Sequence, residues 1–114
     1  MKQFERTIEI DGKEIVIKYI LGLNDKDNHQ IIDDADQNDW WFHLSDYPSA
    51  HCIVERDVID TEDIKFACDL IESKSKYAKN KKQNKYCYTQ VKNLKKTKKA
   101  GEVVFLKKPE YVIY

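Results

Sequence analysis

Glycine is scarce in this sequence, with three residues in 114, at positions 12, 22 and 101. So few and so dispersed, they exclude a glycine-rich loop of the kind that cradles nucleotide phosphates. Cysteine is equally sparse: Cys52, Cys68 and Cys87 are odd in number, widely spaced and without a C-x-x-C pair. A disulfide framework and a zinc site both lack their spacing, so small buried thiols kept reduced are the expectation. No apolar run approaches the ~18 residues that cross a bilayer. The opening MKQFERTIEIDGKE also lacks the apolar core of a secretory signal, so a cytoplasmic or nuclear location and no membrane partner are expected. No repeat, low-complexity tract or flexible linker divides the chain, and residues 1–114 are read as one domain with one modest core.

Charge is abundant but unevenly placed. The formal net charge is zero, yet residues 1–73 hold 7 Lys and Arg against 18 Asp and Glu, a net of −11, while residues 74–114 hold 13 Lys against 2 Glu, a net of +11. An acidic half is joined to a basic one. Either the two neutralise each other across the fold, or the basic half meets a polyanion; the second reading is favoured here.

Asp11-Gly12 separates two runs of strand character, Arg6 to Ile10 and Lys13 to Tyr19, and suits a type I′ hairpin turn. The following GLNDKDN reads as a solvated loop, since no Glu stands at the offset a calcium loop requires. Gln30 to Ile32 is open between a short strand and a helical turn. In WWFHL, Trp40, Phe42 and Leu44 share one strand face while Trp41 and His43 share the other. A turn through Pro48 leads to a returning strand from His51 to Glu55. His43 and His51 face each other only if that loop has an odd number of residues, a parity the sequence leaves open. Asp60 or Thr61 caps the principal helix, expected over about residues 61–79, with Glu62 and Asp63 in its first turn and Ile64, Ala67, Cys68 and Ile71 at helical spacing. Tyr86 to Val91 reads as a strand, Lys92 to Gly101 as a basic loop, and Glu102 to Leu106 with Tyr111 to Tyr114 as a terminal hairpin. The fold class is α+β: a mainly antiparallel sheet of hairpins with one principal α-helix.

Two regions carry chemistry. Asp39 to His51, DWWFHLSDYPSAH, gathers two Trp, a Phe and two His, but no further group stands at a spacing that makes the histidines a metal site or a nucleophile's base. They are read as structural or ligand-touching, and no catalytic residue, metal or cofactor is assigned. From Lys74 to Lys99 there are eleven Lys, interleaved with Tyr77, Tyr86 and Tyr88 and with Asn80, Asn84 and Asn93. Ammonium groups suit phosphate oxygens, and aromatics and amides suit exposed bases and sugars.

In order, DWWFHL (39–44), PSAH (48–51), YTQVKNLKK (88–96) and GEVVF (101–105) resemble the NFACT-R domain, whose pattern runs D-x-W-F-H, P-G-S-H, Y-T-x-V-K-N-V-K-K and G-x-V. GLNDKDN is similar to that family's G-K-N-x-x-x-N, with Leu23 where a basic residue is usual; Ser49-Ala50 stands where Gly-Ser is usual. The resemblance implies RNA binding without a catalytic reaction. In large relatives the domain engages tRNA on the ribosome during quality control of stalled translation. This sequence shows neither their coiled coil nor their N-terminal domain, so a stand-alone form is expected and their tail-addition role is not carried over. By motif match the resemblance points to Asp39, Trp41, Phe42, His43, His51, Thr89, Lys92, Asn93, Lys95 and Lys96.

The expected function is a non-catalytic module for structured RNA, tRNA or rRNA, with the ribosome and DNA as further partners and no small-molecule substrate. Lys92, Lys95, Lys96, Lys98 and Lys99 contact phosphates, Tyr88 and Asn93 shape the groove, Trp41, His43 and His51 line or support it, and Thr89 joins the site by motif match. Core packing of Trp41 is an equal reading. The rival functions are an RNA-processing enzyme using His43 and His51, and a module docking on an acidic or ribosomal protein.

Overall fold

The computed structural model describes residues 1–78 and 82–114. The chain opens with β1 (Lys2–Ile10) and β2 (Lys13–Gly22), a long antiparallel hairpin closed by Asp11 at φ 52° and Gly12 at φ 78°. Two consecutive left-handed residues are what a type I′ turn demands. Then follow α1 (Asp25–Asp34), β3 (Trp40–Leu44), β4 (His51–Val54), α2 (Thr61–Ser73) and β5 (Lys85–Gln90). A 3-10 turn (Val91–Asn93), β6 (Leu94–Lys96), β7 (Val103–Phe105) and β8 (Glu110–Ile113) complete the α+β chain. Six strands form one antiparallel sheet in the order β1-β2-β4-β3-β5-β8, and β6 pairs with β7 in a separate ribbon.

Strand alternation divides the core into two layers. Ile17, Tyr19, Leu21, Phe42, Leu44, Cys52, Val54 and Tyr86 face α2 and meet its Ala67, Cys68 and Ile71. Trp41, Ile53 and Cys87 face the other way, against Ile31 and Ile32 of α1, with Leu94 and Val103 of the ribbon packed beside them. All three cysteines are buried, and burial pushes the Cys87 thiol up to about 11. Among the described residues no helix is long and apolar enough to cross a membrane.

α2 is anchored by charge as well as by its apolar face. Asp60 caps it in a reciprocal capping box with Asp63. Asp63, with no exposed surface, also accepts from Tyr19 Oη at 2.8 Å, Arg6 Nη2 at 2.5 Å and Arg56 Nη1 at 2.7 Å. Both arginines of the chain therefore converge on one carboxylate. Burial works against its ionisation, but the backbone N–H of Asp60, the Tyr19 hydroxyl and the two guanidinium groups outweigh it and hold Asp63 below its ordinary 3.8.

Three expectations need correction. The stretch read as a solvated loop opens helix α1, which runs on through Gln30 to Ile32, where the helical alternative holds: Asn24 Oδ1 accepts the Asp27 N–H at 2.8 Å, and Asp25 and Asp27 occupy the first turn. α2 ends at Ser73 rather than near residue 79, which lies outside the described residues. There the bonds tighten to Lys74 N–H→Ile71 C=O and Ser75 N–H→Glu72 C=O, and Ser75 turns inward so that its Oγ accepts the Ala50 N–H at 3.2 Å. The terminal hairpin and the basic loop are absent as such. β7 pairs back on β6 through a turn with Gly101 at φ 80°, and β8 runs along the outer edge of β5. A left-handed glycine lets that turn close locally, so β7 is already paired when the chain reaches β8.

Candidate functional site

The pairing Phe42↔Cys52 fixes the parity that the sequence leaves open. Continued by one residue it sets His43 opposite His51, and their rings meet edge to face with centroids 4.7 Å apart. Trp41 lies between the histidines and the core: it stacks on His43 at 5.6 Å and 9°, meets His51 edge-on at 5.2 Å, and donates from Nε1 to His51 Nδ1 at 3.0 Å. With Nδ1 an acceptor, neutral His51 carries its proton on Nε2. Trp41 is only 1% exposed and His51 2%, so both are packed residues that support the site from beneath.

The loop from Ser45 to Ala50 is held without the glycine usual at position 49. Asp46 takes the left-handed conformation, at φ 70°. Ser49 Oγ accepts the Leu44 N–H at 3.1 Å and donates to the Ala50 carbonyl at 2.9 Å. Asn28 of α1 reaches across to accept the His51 N–H through Oδ1 at 3.2 Å. Gly22 permits this approach: a Cβ there would sit 2.2 Å from that oxygen. The G-L-N-D-K-D-N stretch thus acts on the site through backbone proximity at Gly22, a helix cap at Asn24 and a strand clamp at Asn28.

Above these residues opens a cavity of about 550 Å³. Trp41, His43 and His51 line its floor, the 45–49 turn one wall, the start of α1 another, and residues 99–105 with Tyr111 the rest. Tyr47, Phe105 and Tyr111 are exposed at its margin. Gly101 presses against Asp25, where a Cβ would lie 2.7 Å from Oδ1, and His29 Nε2 lies 2.9 Å from the Glu102 carbonyl oxygen; these contacts hold the β6–β7 turn against α1.

Of the described residues of the Lys-rich segment, Lys99 alone lines the cavity, and others stand around its margin. Lys95 and Lys98 are exposed on the same ribbon and its turn. On the other side Lys85 lies over the Tyr111 ring at 4.5 Å, and Tyr77, with Lys76 beside it, stacks on Tyr47 at 5.6 Å. Lys92 and Lys96 differ from these: Lys92 Nζ donates to Asn38 Oδ1 at 3.3 Å, and Lys96 Nζ pairs with Asp33 at 2.5 Å. Lys79 and Asn80 lie outside the described residues.

Not every residue grouped in the sequence meets at the cavity. Tyr88 points to the α2 side, stacked on Phe42 at 5.0 Å, because its pairing with Phe42 puts it on that face. Thr89 is buried and accepts from Asn93 Nδ2 at 3.1 Å, bracing the 3-10 turn. Asp39 is buried too, accepting the Asp36 N–H at 3.0 Å, and burial raises its pKa. Conversely Asp25, Asn28, Gly101, Phe105 and Tyr111 belong to the cavity and were not singled out as site residues. Asn24 as a cap and the G-E-V-V-F stretch were the signals within reach.

Neither histidine is set up for proton transfer near neutrality. Burial drives His43 down to about 4 and His51 well below its ordinary 6.5, with His43 adding to the effect on His51. Among the described residues no carboxylate hydrogen-bonds either ring, and no group of three or more His, Cys, Asp or Glu could hold a metal ion. Both rings fold neutral but take up protons in the unfolded chain below about pH 6.5. The unfolded state then binds more protons, so folding stability falls as pH drops from 6.5 toward 4. Denaturant unfolding at pH 7 and pH 5 is expected to differ by on the order of 1–2 kcal/mol per imidazole. Equal stability at the two values would show that the rings take up protons in the fold as they do in the unfolded chain.

Residues 7–112 match the family model described as the NFACT protein RNA binding domain. Seven solved chains are similar to this one. Among them, the structure of the C-terminal part of the fibronectin/fibrinogen-binding protein from Streptococcus suis has a TM-score of 0.78 at 24% identity. The likeness covers 96% of this chain and 43% of that one, so the chain spans less than half of its length, and what it shows is the shared fold. No curated protein matches the sequence.

Proposed function

The chain belongs to the NFACT RNA-binding domain family, and from that premise we propose that it binds structured RNA of the tRNA or ribosomal kind. It is a binding domain without a catalytic reaction. The observation that carries the finer reading is the arrangement of Lys95, Lys98 and Lys99 on one ribbon beside a cavity with aromatic margins, with Lys85 across it. Ammonium groups track a phosphate backbone, and exposed rings stack on bases that a loop or end leaves unpaired. Lys92 and Lys96, already engaged with Asn38 and Asp33, hold the ribbon and the 36–39 turn in place more than they meet ligand.

Salt dependence tests this directly. A plot of log affinity for tRNA against log salt is expected to slope at roughly −0.7 to −0.9 per phosphate contacted, giving about −2 to −3 for the three lysines of the ribbon. Lys98→Ala is expected to reduce the slope by about one such contact. A flat plot, or no binding at low salt, overturns the proposal; capture of a ribosomal protein that survives nuclease treatment would favour protein docking in its place.

A further inference from the structure

The cavity and the lysines beside it differ in chemistry. Around the cavity stand three carboxylate residues, Asp25, Asp46 and Glu102, against one cation, Lys99. A phosphate is repelled there; a neutral group with hydrogen-bond donors is not. On the floor, His51 holds Nε2–H as a donor because Trp41 occupies its Nδ1, and His43, whose contacts are ring to ring, carries one donor and one acceptor nitrogen in its neutral form. At the margin, Phe105 and Tyr111 are 40% and 46% exposed and offer ring faces. Planar aromatic shape, zero charge, and both donors and acceptors along one edge describe a nucleobase. About 550 Å³ accommodates one with its sugar.

We infer that this cavity receives a single unstacked nucleobase bearing an exocyclic amino group, adenine, cytosine or guanine in preference to uracil. The inference rests on the RNA-binding reading above and assigns the cavity a task separate from that of the lysines. The amino group supplies the donor that the Asp46 and Asp25 carboxylates accept, and uracil presents carbonyl oxygens where that donor is needed. The phosphates flanking the captured base lie on Lys95, Lys98 and Lys99.

Free nucleosides isolate this task because they carry no phosphate. Titrating the protein with adenosine, cytidine, uridine and inorganic phosphate, followed by NMR of the Trp41 indole N–H and the His43 and His51 ring nitrogens, is expected to move those signals with adenosine and cytidine. Uridine should bind about 3- to 10-fold more weakly, the worth of one hydrogen bond, and phosphate should leave the signals in place. Asp46→Asn tolerates the left-handed backbone at that position and should bring the adenosine-to-uridine ratio close to one. Tyr47→Ala, at the exposed turn, should weaken both nucleosides. If no nucleoside moves the ring signals while tRNA still binds with its salt slope, the base receptor is wrong and RNA binding stands. Signals that move equally with phosphate also overturn it. If tRNA fails to bind as well, both readings fall together.

Discussion

Asp63→Ala is expected to lower folding stability by about 3 kcal/mol, the low end of what removing one partner from a buried charge cluster costs. The low end applies because Arg6 and Arg56 keep side-chain exposures of 21% and 24%, so water can partly resolvate the stranded guanidinium groups. The Tyr19 hydroxyl cannot be rescued that way, since Tyr19 has no exposed surface. The capping box loses its reciprocal half at the same time. For a domain of this size the change corresponds to a melting temperature lower by roughly 10–20 °C, read by thermal unfolding at pH 7. Asp63→Asn, which keeps shape and capping but not charge, should fall between. Because Asp63 is held below 3.8, its contribution is fully present above that pH and fades as pH falls through the folded value. An alanine variant within 1 kcal/mol of the parent would mean that the cluster merely offsets its own desolvation.

Trp41→Ala is expected to cost about 3–5 kcal/mol, the range for deleting a large buried aromatic side chain. The ring touches His43, His51 and Phe105, the last at 5.7 Å, so the cavity floor and one margin lose their common support. Trp41→Phe separates packing from hydrogen bonding. It keeps most of the volume and leaves His51 Nδ1 without its donor, at about 1–3 kcal/mol. Nitrogen NMR should then show the His51 Nδ1 signal moving toward that of an imidazole nitrogen without a donor, where the parent Nδ1 accepts from the indole. An unchanged Nδ1 signal in Trp41→Phe would contradict the role given to the indole.

What the sequence made legible was mostly local. Asp11-Gly12 specified its own turn, the period-two pattern of WWFHL sorted Phe42 from Trp41, and Asp60 announced α2. α1 was missed because DKDNHQIIDD buries only Asn28, Ile31 and Ile32, too few apolar residues for a helical stripe; its reason to be a helix is a cap and a clamp on His51. The partners of β7 and β8 were missed because these two strands were assumed to pair with each other and the stretch holding β6 was taken as loop. The sheet edge beside β5 and the turn at Gly101 decide otherwise. The site divides the same way. His43 and His51 were both named with their facing left open, and the placement of Tyr88 behind the sheet follows from its register with Phe42; only the assembled sheet sets either.

The commitment of both arginines to Asp63 also constrains how the domain can discriminate among RNAs. A guanidinium fork can grip the O6 and N7 of a guanine, or a phosphate, in two parallel bonds; an ammonium is a point charge that prefers no base. With Arg6 and Arg56 spent behind the sheet, the ribbon beside the cavity presents lysine alone. On the proposed reading, a backbone held by these lysines would be gripped without regard to sequence, and any choice among RNAs would have to come from some other feature.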